Sequence, residues 1–153
     1  MRGWKPEKTS IVKKLLRKSL LVCLTEIWSS IPTDESWICE HLFEEDTNSR
    51  RKRKGGGISV IYNSGLPIKV LAKHSDSDFQ LISMSIFSAP MLCTYVRPGC
   101  TADTYDQFLA IAHRLLQGPG ILIGDMNSRH SSWDTTSNRQ GNQLHRWAQK
   151  ITF

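Results

Sequence analysis

The chain has 153 residues, 39% of them hydrophobic, which suffices for one compact domain around one core and is too little to expect two. Lys and Arg outnumber Asp and Glu by 20 to 14, a net charge of +6 that attracts polyanions such as nucleic acid. No apolar run approaches the roughly 18 residues of a membrane span, and the charged start lacks the apolar core of a signal peptide, so a soluble, unsecreted protein is expected.

From Lys5 to about Lys18, Ile11, Val12, Leu15 and Leu16 recur at helical spacing with Lys and Arg opposite, the pattern of an amphipathic surface helix. Leu20 to Leu24 is an uninterrupted apolar run inside the segment Ser19 to Trp28, and it reads as a buried central strand with Glu26 at its C-terminal end. An extended loop or weak strand follows through Trp37 and Ile38. Next comes the basic block Arg50, Arg51, Lys52, Arg53 and Lys54, set between Glu44-Glu45-Asp46 and Gly55-Gly56-Gly57. A solvated loop, a phosphate-contacting patch and a nuclear-targeting patch all share that composition.

Ile58 to Tyr62 is strand-like, and Asn63-Ser64-Gly65 turns the chain toward Leu66 to Leu71, which predicts a β-hairpin or meander. Phe79 to Phe87 alternates, and Met91 to Val96 supplies a further strand before Arg97-Pro98-Gly99; together these predict an antiparallel sheet. Thr101 to Leu116 carries Tyr105, Phe108, Leu109, Ile111, Ala112 and Leu115 at helical spacing, with Asp103 or Thr104 able to cap its start. After the turn Gly118-Pro119-Gly120, Ile121-Leu122-Ile123 reads as a fully buried strand that delivers Asp125 and Asn127. Strand alternation would aim those two side chains at one face, with Met126 opposite. Gly141 to Phe153 predicts a last short helix. Cys23, Cys39, Cys93 and Cys100 form no CxxC pair, and free thiols in a reducing compartment are expected.

Buried strands between helices, with a meander in the middle, predict a layered α/β domain with mixed sheets over residues 1–153. Three predicted strand ends carry polar groups: Glu26, Tyr95 and the Asp125/Asn127 pair. Phosphodiester cleavage needs hard oxygen ligands for a divalent metal, an acceptor to orient water, and donors for the charge that builds on the phosphate. Glu26 could hold magnesium, Asp125 could align the water, and Asn127 and Tyr95 could donate to phosphate oxygens. Each also has a plainer reading: an exposed Glu, a packed Tyr, an Asp or Asn that shapes a turn.

The segments Thr25-Glu26-Ile27-Trp28, Gly55 to Tyr62, Tyr95-Val96-Arg97-Pro98 and Gly124-Asp125-Met126-Asn127 occur in the order and approximate spacing of the endonuclease/exonuclease/phosphatase superfamily. The pattern most resembles the apurinic-endonuclease-like domain of non-LTR retrotransposons, with its "ETW", "YRPP"-like and "GDFNAHHxxW" segments. His130, Trp133, Asn138, Gly141 and Leu144 also fall where that last segment and its continuation place them. The resemblance implies a four-layer α/β sandwich of mixed sheets flanked by helices. It also implies Glu26 as metal ligand for Mg2+ (or Mn2+), Tyr95, Asp125 and Asn127 as catalytic residues at the phosphate, and nicking of DNA as the activity. Arg97, His130 and the Arg50 to Lys54 block become candidates for DNA contact, a reverse transcriptase module becomes the expected partner in a full-length relative, and the nucleus the expected location.

Two parts of the family pattern have no counterpart: an Asn on the first strand, and a later Ser-Asp-His segment, since neither His130 nor His145 follows an Asp. The resemblance therefore implies a C-terminally incomplete domain with weak or absent activity and an unpaired sheet edge. A non-catalytic basic nucleic-acid-binding remnant, a superfamily phosphoesterase for a small phosphoester, and an unrelated basic α/β binding module remain as alternative readings.

Overall fold

A computed structural model describes residues 4–27, 31–32, 34–42 and 57–151. Helix α1 (Pro6–Leu16) begins with a proline in its first turn, where the missing N–H costs nothing, and buries Val12 and Leu16 one turn apart. Strands β1 (Leu21–Thr25), β2 (Trp37–Leu42) and β3 (Ile58–Asn63) form an antiparallel sheet in the order β1-β3-β2. Strands β4 (Ile68–Ser75), β5 (Phe79–Ile86), β6 (Ala89–Val96) and β7 (Ile121–Asp125) form a second sheet in that order. Its first three strands are the expected antiparallel meander, and β7 joins β6 in parallel after a crossover through α2 (Ala102–Leu116). Helix α3 (Arg139–Lys150) follows.

Strand alternation sorts the apolar residues into three cores, and the cores define four layers. Val12 and Leu16 of α1 pack with Trp37 and Ile61 on the outer face of the first sheet. Ile58, Val60 and Tyr62 of β3 meet Ile82, Met84, Ile86, Met91, Cys93 and Tyr95 between the sheets. Phe79, Leu81, Leu92 and Val96 face the other way and pack on Tyr105, Phe108, Leu109 and Ala112 of α2, with Leu144 and Trp147 of α3 at the margin. The layers run helix, sheet, sheet, helices, so the expected α/β sandwich is the observed one. Tyr105 and Phe108 are fully buried and meet edge to face, with ring centroids 5.5 Å apart; each stabilises the fold by roughly 1.5–3 kcal/mol.

Four local expectations differ from the structure. The Asn63–Gly65 turn closes no hairpin: both edges of β3 are taken by β1 and β2, so the chain leaves for the second sheet. β1 is not central; among the described residues it pairs only with β3, and all its side chains are partly exposed. β7 is not fully buried either, because among the described residues it is the last strand of its sheet, which leaves Ile121 56% and Ile123 37% exposed. α2 is capped by Thr101, whose Oγ1 accepts the Thr104 N–H at 3.1 Å, and not by Asp103 or Thr104. All four cysteines are free thiols, and no helix among the described residues is long and apolar enough to cross a membrane.

Candidate active site

Tyr95 lies near the C-terminal end of β6 with its ring between the sheets, because it shares the parity of Met91 and Cys93. Its hydroxyl donates to Glu26 Oε1 at 3.1 Å. Glu26 follows β1 on the facing sheet, in the left-handed region at φ 53, an unusual conformation for a glutamate. A buried glutamine sets that corner. Gln80 stands directly across from Tyr95 on β5 and is 4% exposed. Its Oε1 accepts the Gly57 N–H at 2.7 Å, and Gly57 O in turn accepts the Ile27 N–H at 3.3 Å. Strand β5 thus fixes the backbone on either side of Glu26's exit from the sheet, a role not visible in the sequence, although a Gln flanked by Phe79 and Leu81 was the available signal.

Asp125 is the parallel-register partner of Tyr95, so the sheet itself places the carboxylate beside the phenol. Burial first, then the hydrogen bond to Glu26 and the charges of Glu26 and Asp125, push the Tyr95 hydroxyl up to about 12, against a small opposing pull from Arg97. The phenol therefore stays protonated and available as a donor across the physiological range. Gly124, one residue earlier, has φ 141, and a Cβ there would lie 1.8 Å from Thr94 O. Only glycine lets β7 approach β6 closely enough to deliver Asp125.

Asn127 is placed differently from the expectation. β7 ends at Asp125, so strand alternation does not carry on to residue 127, which turns into the left-handed region at φ 48. Its N–H donates to Asp125 Oδ1 at 3.0 Å, and its Nδ2 donates to Val96 O at 2.8 Å. One amide proton thus ties the loop to the end of β6 instead of pointing outward with the Asp125 carboxylate. Met126 goes inward, packing against the core beneath α2.

Asn138 then holds the loop from the far side. Its Oδ1 accepts the N–H groups of Arg129 at 3.0 Å and Gly141 at 2.7 Å, capping α3, while its Nδ2 donates to Asn127 O at 2.9 Å. Gly141 permits this closeness, since a Cβ there would lie 1.7 Å from Arg129 O. His130 belongs to the loop and not to the Glu26 cluster: it stacks on His145 of α3 with ring centroids 3.9 Å apart and planes 12° from parallel. Arg97 is half exposed and 3.9 Å from Asp78. The Arg50 to Lys54 block lies outside the described residues.

Among the described residues no three His, Cys, Asp or Glu side chains form a ready-made metal cluster. The donor chemistry nevertheless fits magnesium, which binds through one or two carboxylates and completes its shell with water and phosphate oxygens. Glu26 and Asp125 are hard oxygen donors close to one phenol.

No family model and no curated protein matches the sequence. Solved structures do match the fold. The endonuclease domain of TRAS1, a telomere-specific non-LTR retrotransposon, superposes with a TM-score of 0.65 and 11% identity over 95% of this chain and 67% of that one. The chain has the fold of a retrotransposon endonuclease domain. At that identity the likeness is one of architecture, and the chain spans about two thirds of the TRAS1 structure's length. A lesser likeness, to a humanized D. rerio TDP2, has a TM-score of 0.43 and 12% identity over 84% of this chain and 62% of that one. The retrotransposon endonuclease fold is the one implied by the ordered segments around Glu26, Gly55 to Tyr62, Tyr95 and Asp125.

Proposed function

We propose that this chain is a magnesium-dependent DNA endonuclease domain of the non-LTR retrotransposon type, with slow turnover. The observation that carries the reading is the convergence of Glu26, Tyr95 and Asp125 from three strands on two sheets, with the phenol donating to Glu26 and register-paired with Asp125. In phosphodiester hydrolysis a water oxygen adds to phosphorus, a sugar oxygen leaves, and the products are a phosphate monoester and a hydroxyl. Asp125, with one oxygen held by the Asn127 N–H, is positioned by that bond to orient the water through the other. The Tyr95 hydroxyl has one proton, given to Glu26 in the free chain; once Glu26 is engaged by metal, that proton would turn to the developing negative charge on the phosphate. Magnesium, when bound through Glu26, supplies Lewis-acid charge at the same phosphate. Slow turnover is part of the proposal because the two histidines that follow Asp125 in the chain, His130 of the loop and His145 of α3, are stacked on each other, while Tyr95 bonds to Glu26. The reading implies work in the nucleus, beside a reverse transcriptase module.

The test is conversion of supercoiled plasmid to open circles with magnesium. Slow nicking is expected, abolished by Glu26→Gln and by Asp125→Asn. No nicking above buffer, or nicking indifferent to both substitutions, overturns the reading. A net charge of +6 favours one second reading, a non-catalytic nucleic-acid-binding remnant. Salt-dependent DNA binding without any nicking is its signature.

A further inference from the structure

The loop that follows Asp125 ends in an aromatic cluster that the proposed chemistry does not use. Trp133 is the one exposed tryptophan among the described residues, with 48% of its surface open to solvent. Its indole N–H donates to Ser128 O at 3.2 Å, which pins one edge of the ring to the loop. His130 leans against it with centroids 5.0 Å apart, and His145 lies behind at 6.0 Å, in turn stacked on His130. The His130 ring is itself oriented, since its Nδ1 accepts the Ser132 N–H at 3.1 Å, which leaves the proton of the neutral ring on Nε2. The cluster is therefore an exposed π surface with its supports already ordered. Arg129 of the same loop lies 4.0 Å from Asp134, and along residues 126–153 Arg129, Arg139, Arg146 and Lys150 outnumber that single acid.

We propose that Trp133, backed by the His130–His145 stack, is a platform on which an unpaired nucleobase of a bound strand stacks, next to the loop that carries Asp125 and Asn127. A flat, pre-ordered indole suits any base, because every base offers a π face, and the excess of Arg and Lys over acids along residues 126–153 suits a phosphate chain. A single exposed aromatic needs no explanation by itself. Trp133 differs in being hydrogen-bonded at its edge to Ser128 O, supported by two imidazoles, and carried on the loop that follows Asp125 in the chain. The proposal rests on nucleic acid being the substrate, and it adds that single-stranded or locally opened strands are preferred at this place.

The test is binding in a magnesium-free buffer of a short oligothymidylate and of an abasic phosphodiester chain of the same length and charge, read by fluorescence anisotropy at fixed salt. The platform predicts that Trp133→Ala weakens oligothymidylate binding about tenfold and leaves abasic binding unchanged. Trp133→Phe, which keeps a π face and loses the indole N–H, is expected to retain most of the thymidylate preference. Circular dichroism of each variant checks that it is folded, and the abasic ligand is an internal control for damage to the loop. Equal loss for both ligands means that Trp133 only braces the loop, and unchanged binding of both means that it takes no part; either overturns the platform while leaving the nicking test intact. Failure of both ligands to bind the unaltered chain overturns the platform and its nucleic-acid premise together.

Discussion

Asn138→Ala is the most direct test of how the candidate site is held. The substitution removes three hydrogen bonds at once: those accepted from Arg129 N and Gly141 N, and the one donated to Asn127 O. A hydrogen bond of this kind contributes about 1 kcal/mol net, and loss of an Asn N-cap about 1 kcal/mol, the Gly141 bond being that cap. Asn138 is only partly buried, so water recovers some of the loss, and the expected cost is about 2–3 kcal/mol. For a domain of this size that lowers Tm by roughly 4–12 °C. Asn138→Asp is the calibrating variant. It keeps both accepted bonds and gains from the helix N-terminus, but replaces the donor to Asn127 O by an oxygen that must turn away from that carbonyl, for about 1–2 kcal/mol. Thermal and urea unfolding followed by circular dichroism measure both variants, and amide exchange at Asn127 to Arg129 reports whether the loop is released. An alanine variant within about 0.5 kcal/mol of the parent, or an aspartate variant as damaged as the alanine one, refutes the account of the clamp.

Gly124→Ala should prevent normal pairing of β7 with β6, since the added Cβ meets Thr94 O at 1.8 Å in a conformation unfavourable for alanine; a loss above about 2 kcal/mol in urea unfolding is expected. Tyr95 and Tyr105 are both raised from 10 to about 12 by burial first, so their stabilisation is whole below pH 10 and is lost as pH rises through 12. Alkaline unfolding of Tyr95→Phe should accordingly depend less steeply on pH in that window, and an identical slope would count against the placement of Tyr95. Neutralising Arg50 to Lys54 should flatten the salt dependence of DNA binding, by up to about 0.9 in log–log slope for each phosphate no longer neutralised by the block; an unchanged slope would mark the block as merely solvated.

Several levels of this protein are legible in the residues alone because they depend on local pattern. Alternation along Phe79–Ile86 and Met91–Val96, helical spacing across α1 and α2, and polar residues at strand ends all follow from periodicity, which neighbouring layers do not alter. The ordered segments around Glu26, Tyr95 and Asp125 carried the fold, and the structure brings those three residues together. Pairing is a different matter, because it depends on which strand edges are still free. That is why the Asn63 turn crosses between sheets, and why the apolar runs of β1 and β7 lie at sheet margins. Asn127 shows the same limit at the scale of one residue. The spacing 125/127 predicts a shared face only while the strand continues, and the left-handed turn at 127 sends its amide to Val96 O. The clamp by Asn138, the corner held by Gln80 and the stack of His130 on His145 join residues far apart in sequence. Their meeting is decided by packing, since composition and spacing encode no distance between elements until the layers are assembled.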